Sequence, residues 1–234
     1  MKAAMRLGLL AGLAAAGIAR ANLTFHLMQI EQVVGGVSGD ASAQAIQLRM
    51  RSFNQNFVAG AKLVAYDATG SNPVLLIDFE SNVNSGDLGD RVLIVTEAMK
   101  NYTDPPVIGD FTLTNPIPES YLASGRIAFE SNNGAQKLWA LHTGGDSYTG
   151  TTLGGLDNDD DGDFGPPFDG AVPTDGAALR FLGGPSDKSS TNQEDYALTD
   201  ALAVLTNNAG DESQVVQPPD ECYPDCNGDT ILDF

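Results

Sequence analysis

Ala45-Ile46-Gln47-Leu48-Arg49-Met50-Arg51 is the stretch that decides the fold class. Ile46, Leu48 and Met50 alternate strictly with Gln47, Arg49 and Arg51. A period of two puts the two sets on opposite faces of a strand. The segment therefore reads as a half-buried strand whose polar side chains face solvent. An opening strand is expected before it over residues 25–34. Short runs of the same kind follow at 62–66, 74–79, 91–96, 126–129, 137–142 and 178–182. Turn-rich stretches at 67–73 and 82–89 separate them and read as hairpin connections. Many short strands punctuated in this way predict an all-β protein: an antiparallel β-sandwich, immunoglobulin-like or jelly-roll-like, with long acidic loops and a flexible C-terminal tail. Helix is expected only as single turns at 97–102, stopped by Pro105-Pro106, and at 121–124. Residues 194–205 read as a short helix or a last strand, and the alternation at their end favours strand. Phe79-Glu80-Ser81-Asn82 recurs as Phe129-Glu130-Ser131-Asn132, a single echo too short to define a repeat.

The first 21 residues have the parts of a bacterial-type secretory signal: Lys2 and Arg6, an apolar run from Leu7 to Ala19, and Ala19-Arg20-Ala21 as a small-x-small end. The apolar run is shorter than the roughly 18 to 20 residues that span a bilayer, so cleavage before Asn22 is expected rather than a retained anchor. The chain would then be secreted or held at the cell surface, with no transmembrane segment left after cleavage. The domain expectation is a signal at 1–21, a β-sandwich at 22–206, an acidic linker at 207–221 and a short terminal unit at 222–234.

Of 234 residues, 31 are Asp or Glu and 12 are Lys or Arg, a net charge of −19. Loss of the signal removes Lys2, Arg6 and Arg20 but no acid. Such a surface repels phosphate backbones and anionic membranes, which excludes nucleic acid as the expected partner and favours cations. Cys222 and Cys226 could close only a small terminal loop, and two thiolates without a neighbouring histidine fall short of a structural zinc site.

Two groups of acids have ligand spacing. Asp157, Asp159 and Asp161 occupy alternate positions, followed by Gly162 and Asp163. Oxygen ligands at loop positions 1, 3 and 5 with glycine at 6 are how calcium is wrapped. Phe168 stands at position 12 in place of Glu, Pro166-Pro167 exclude the following helix of an EF-hand, and Asp169 is the alternative closing ligand. The bland reading is a solvated acidic loop, but aspartates this dense repel one another without a cation.

Ala45 to Met50 followed by Leu63-Val64-Ala65-Tyr66-Asp67 resembles the first strands of lamin-tail-type immunoglobulin-like domains of exported bacterial proteins, with Gln47 where that family usually has Glu. The resemblance implies a sandwich that acts as a binding or scaffold module. Asp225-Cys226-Asn227-Gly228-Asp229-Thr230-Ile231-Leu232-Asp233 resembles the calcium loop of the dockerin repeat. It implies Asp225, Asn227, Asp229 and Asp233 as side-chain ligands and Ile231 as a carbonyl donor. Thr230 replaces the glycine, and Phe234 falls before the twelfth position.

Catalytic readings are weaker. Gly145-Asp146-Ser147 is similar to the nucleophile stretch of trypsin-like proteases, but Tyr148-Thr149 follow it, and the chain's two histidines are His26 and His142. Carboxylates for sugar hydrolysis abound without a marked pair. The expectation is an exported, noncatalytic structural or adhesive module that binds Ca2+ and meets an envelope or extracellular protein. The alternative is a carbohydrate-binding module or glycoside hydrolase that meets a glycan through Trp139, Tyr148 or Tyr66, although a lone Trp on a strand is more often core.

Overall fold

A computed structural model describes residues 27–153, 163–188 and 191–217. The alternating run forms β2 (Ala45–Met50), paired antiparallel on one side with β1 (Met28–Val34) and on the other with β5 (Arg91–Val95). Beyond β1 come β10 (Ala177–Phe181) and β11 (Tyr196–Leu202), and beyond β5 a short parallel strand, β7 (Phe111–Thr112). These six strands make one sheet in the order β11-β10-β1-β2-β5-β7. A second sheet, β4-β3-β8-β9, contains β3 (Ala61–Tyr66), β4 (Val74–Asp78), β8 (Gly125–Ser131) and β9 (Lys137–Thr143). The expected helical turns form as a 3₁₀ helix at Glu97–Tyr102 and an α-helix, α1, at Glu119–Ala123. Residues 194–205 divide: helix α2 (Asn192–Asp195) ends where β11 begins. Among the described residues no helix is long and apolar enough to cross a membrane.

The two sheets face each other, as the sandwich reading expects. Met28, Ile30, Ile46, Leu48 and Met50 from the first meet Leu63, Ile127, Phe129, Trp139 and Leu141 from the second. Trp139 is fully buried; its Nε1 donates to the Tyr196 hydroxyl at 2.7 Å, which donates to the Ile30 carbonyl at 2.6 Å. The repeated Phe-Glu-Ser-Asn ends two strands that flank the start of β3, and its two phenylalanines meet edge to face at 6.1 Å.

The polar face of β2 departs from expectation: Gln47, Arg49 and Arg51 are buried. Arg51, just past the strand, has its guanidinium 5.8 Å from the buried Trp139 ring; for Gln47 and Arg49 the cause lies in β1, where Ile30 opposes Leu48 and Gln32 opposes Gln47, leaving Glu31 as an extra residue in a β-bulge. Glu31 has no solvent exposure. Its Oε1 accepts from Arg49 Nη1 at 3.0 Å and Arg91 Nη2 at 3.1 Å, and its Oε2 from Gln47 Nε2 and Arg91 Nε, both at 2.8 Å. Arg180 Nη2 stands 3.8 Å away. Burial pushes the Glu31 carboxyl up, but the Arg91 hydrogen bonds and the charges of Arg49 and Arg91 outweigh it and hold the group below its ordinary value.

A third sheet closes over this face: β6 (Thr103–Asp104), β12 (Val204–Thr206) and β13 (Glu212–Val215), in the order β12-β13-β6. Gln47 Oε1 accepts the Thr206 backbone N–H at 2.7 Å, and Gln32 Nε2 donates to the Val204 carbonyl at 2.7 Å. Beside these bonds Leu205 and Val215 pack into a second apolar cluster with Val34, Ala45, Leu93 and Val95. The stretch expected as an acidic linker from 207 therefore belongs to the folded body through Val215. Glu31→Ala should cost about 3 to 5 kcal/mol in urea unfolding, because Arg49 is left buried beside an empty position. Glu97→Ala, which breaks an exposed pair with Lys100, should leave the midpoint unchanged.

Candidate functional site

The aspartate-rich stretch is bracketed by Leu153 and Asp163, and these two residues form an isolated antiparallel bridge. The return is stapled down. Phe164 donates its N–H to Thr152 at 3.2 Å and buries its ring 6.3 Å from Trp139 and 6.2 Å from His142. Gly165 follows with φ +64°, and a Cβ there would come within 2.6 Å of Thr191. Only glycine fits both the left-handed backbone and the close approach. Asn192 then donates its N–H to the Phe164 carbonyl at 2.9 Å, joining α2 to the stem.

Of the expected ligands, Asp163 stands at this stem, half-buried, with Oδ1 accepting the Gly165 N–H at 3.0 Å. Asp157, Asp159, Asp161, Asp225, Asn227, Asp229 and Asp233 lie outside the described residues, as do Cys222 and Cys226. Asp169, the alternative closing ligand, is exposed and accepts from Gln193 Nε2 at 2.7 Å. Among the described residues no three His, Cys, Asp or Glu side chains converge on a metal position.

His142 sits beneath the stem at the end of β9, almost wholly buried. Asn192 Oδ1 accepts its backbone N–H at 2.9 Å and lies 2.8 Å from Nδ1. An amide oxygen can only accept, so Nδ1 carries the proton and the ring is the neutral Nδ1–H tautomer. Burial depresses its pKa to about 4, against the Asn192 bond that raises it. Ser147 is exposed on a 3₁₀ turn at Gly145–Ser147, while His142 Nε2, the atom that would take a serine proton, is buried without a hydrogen-bond partner, so the Ser-His pairing of a protease is not assembled.

The aromatic residues expected to stack on a sugar are occupied. Trp139 is core. Tyr148 is buried against His142, ring to ring at 5.1 Å. Tyr66 is covered by the Arg126 guanidinium at 3.9 Å and donates its hydroxyl to Glu130 at 2.6 Å. Burial first, then the Glu130 bond, pushes the Tyr66 phenol up to about 12. Asn192 and Arg126 were not singled out in the sequence. Nothing local marks an Asn in Thr191-Asn192-Gln193-Glu194 as the partner of a histidine fifty positions earlier.

No family model, curated protein or solved structure matches this chain.

The neutral buried imidazole has a consequence for stability. The unfolded chain takes up a proton near pH 6.5 and the folded chain only near pH 4, so stability is full above 6.5 and is lost as pH falls between the two. The loss is about 3 kcal/mol. The Glu31 contribution begins to fail only below about 4.5, so it does not mask this window. Urea titrations from pH 7 to 5 should show the decline, His142→Gln should flatten it, and the imidazole ¹⁵N shifts at pH 5.5 should report a neutral ring.

Proposed function

We propose that the chain is an exported, noncatalytic structural or adhesive β-sandwich module whose loop at 157–163 takes up calcium and which meets a partner at the cell surface or in the medium. The observation that carries this reading is the spacing of Asp157, Asp159 and Asp161 before Gly162, in a loop whose two ends are held together by the Leu153–Asp163 bridge. A pinned stem lowers the entropy cost of converging the loop on one ion. The stem rests on Phe164, which reaches the core beside Trp139. A bound cation at the loop would thus stabilise the return strand and α2 with it. The ending with Asp225, Asn227, Asp229 and Asp233 is a second, dockerin-like calcium stretch in the same reading. The signal-like first 21 residues bring the chain to compartments where calcium is abundant enough to fill weak sites, on the order of 10⁻⁴ to 10⁻³ M.

Thermal unfolding of the cleaved chain in millimolar calcium and in chelator tests the reading. Calcium should add about 1 to 2 kcal/mol, a rise of a few degrees. The double change Asp159→Asn, Asp161→Asn should abolish most of that rise without lowering the midpoint in chelator. An identical midpoint in calcium and chelator would refute the proposal.

A further inference from the structure

A cleft of about 360 Å³ opens where the turn after β4 meets the entry to β7 and the turn after β12. Ser81, Asn82, Asn84, Asp110, Phe111 and Asn208 are among its lining residues. Its floor is preformed by Asn208, which is 8% exposed. The Asn208 Oδ1 accepts the Ser85 N–H at 2.7 Å, and its Nδ2 donates to the carbonyls of Ser85 at 3.0 Å and Arg91 at 2.9 Å. Its own N–H reaches Asp110 Oδ2 at 2.9 Å. One amide thereby clamps three chain segments, so the cleft needs little reorganisation to receive a ligand.

The polar groups on its walls retain capacity. Asp110 Oδ2 takes the N–H groups of Leu93 and Asn208, while Oδ1 receives only the longer arm from Asn208 at 3.1 Å. Asp110 forms no ion pair among the described residues, and burial raises its pKa against those backbone bonds. Asn82 is oriented by accepting the Ala59 N–H at 3.0 Å, which leaves its Nδ2 to donate. The Asn84 side-chain amide makes no hydrogen bond among the described residues. Phe111 is half-buried and held edge-on to Phe79 at 5.0 Å.

An aromatic ring, a carboxylate without a cation and two amides on a rigid floor match a pyranose, which offers an apolar C–H face and hydroxyls that both donate and accept. The negative charge of the chain and of Asp110 itself disfavours phosphorylated or acidic ligands. We propose that this cleft binds a neutral glycosyl unit: Asp110 accepts from its hydroxyls, Asn82 donates, Asn84 does either, and Phe111 packs on the ring. This site is independent of the calcium loop.

The test is an NMR titration of the ¹⁵N-labelled cleaved chain with glucose, galactose, mannose and N-acetylglucosamine, each to about 50 mM, enough to detect a Kd on the order of 10 mM. At least one sugar should give saturable shifts at the Asn82 and Asn84 side-chain amides and the Asp110 and Phe111 backbone. The shifts should be unchanged by chelator. Asn84→Ala and Phe111→Leu, which preserve the backbone clamp, should each weaken binding about tenfold. Absence of shifts with all four sugars overturns the proposal. So do shifts confined to other residues, and so does saturation of these same amides by calcium alone with no response to sugar.

Discussion

A carboxylate with no solvent exposure has to be neutralised where it stands, and the rest of this structure is arranged around the way Glu31 achieves that. Two arginines from the neighbouring strands β2 and β5 and one glutamine fill its two oxygens. The bulge makes this possible by turning both Glu31 and Gln32 to the outer face. The outer face of the six-stranded sheet is therefore half polar and half apolar. A cover for it has to supply hydrogen-bond partners as well as apolar side chains. The β12 and β13 strands do both: Thr206 and Val204 satisfy Gln47 and Gln32, and Leu205 and Val215 fill the space beside them.

His142 shows the opposite solution to the same problem. Glu31 stays charged because arginines reach it, whereas His142 stays neutral because burial disfavours its cation and the Asn192 amide oxygen, its nearest partner, carries no charge to offset that. The difference matters for the acidic loop. The Asn192 side chain and backbone tie α2, β9 and Phe164 together, so the base of the loop is built into the sandwich rather than attached to it. An ion held by the aspartates would act on the core through this stem.

Strand positions were legible because alternation and turn residues are local signals. The runs at 62–66, 74–79, 91–96 and 137–142 all became strands within a residue or two. Trp139 was legible as core for the same reason. The burial of Gln47 and Arg49 was not, since it depends on a strand 159 positions later along the chain. The folding of 207–215 onto that face was hidden with it: a polar strand face and a distant segment that covers it look solvated when taken separately. A trace of the bulge does exist in the sequence, because the apolar phase shifts from Met28 and Ile30 to Val33 across Glu31-Gln32. The Asp110 cleft left no such trace, as three separate segments compose it.

Amide hydrogen exchange at Thr206 tests most directly whether the buried polar face holds the C-terminal strands in place. Its N–H is donated to the Gln47 side chain, so it is exchange-protected only while that face is closed. The account predicts that Thr206 and Val215 exchange with the slowest class, together with the amides of β1 and β2. Exchange of Thr206 at the rate of an exposed loop, with β2 still protected, would contradict it.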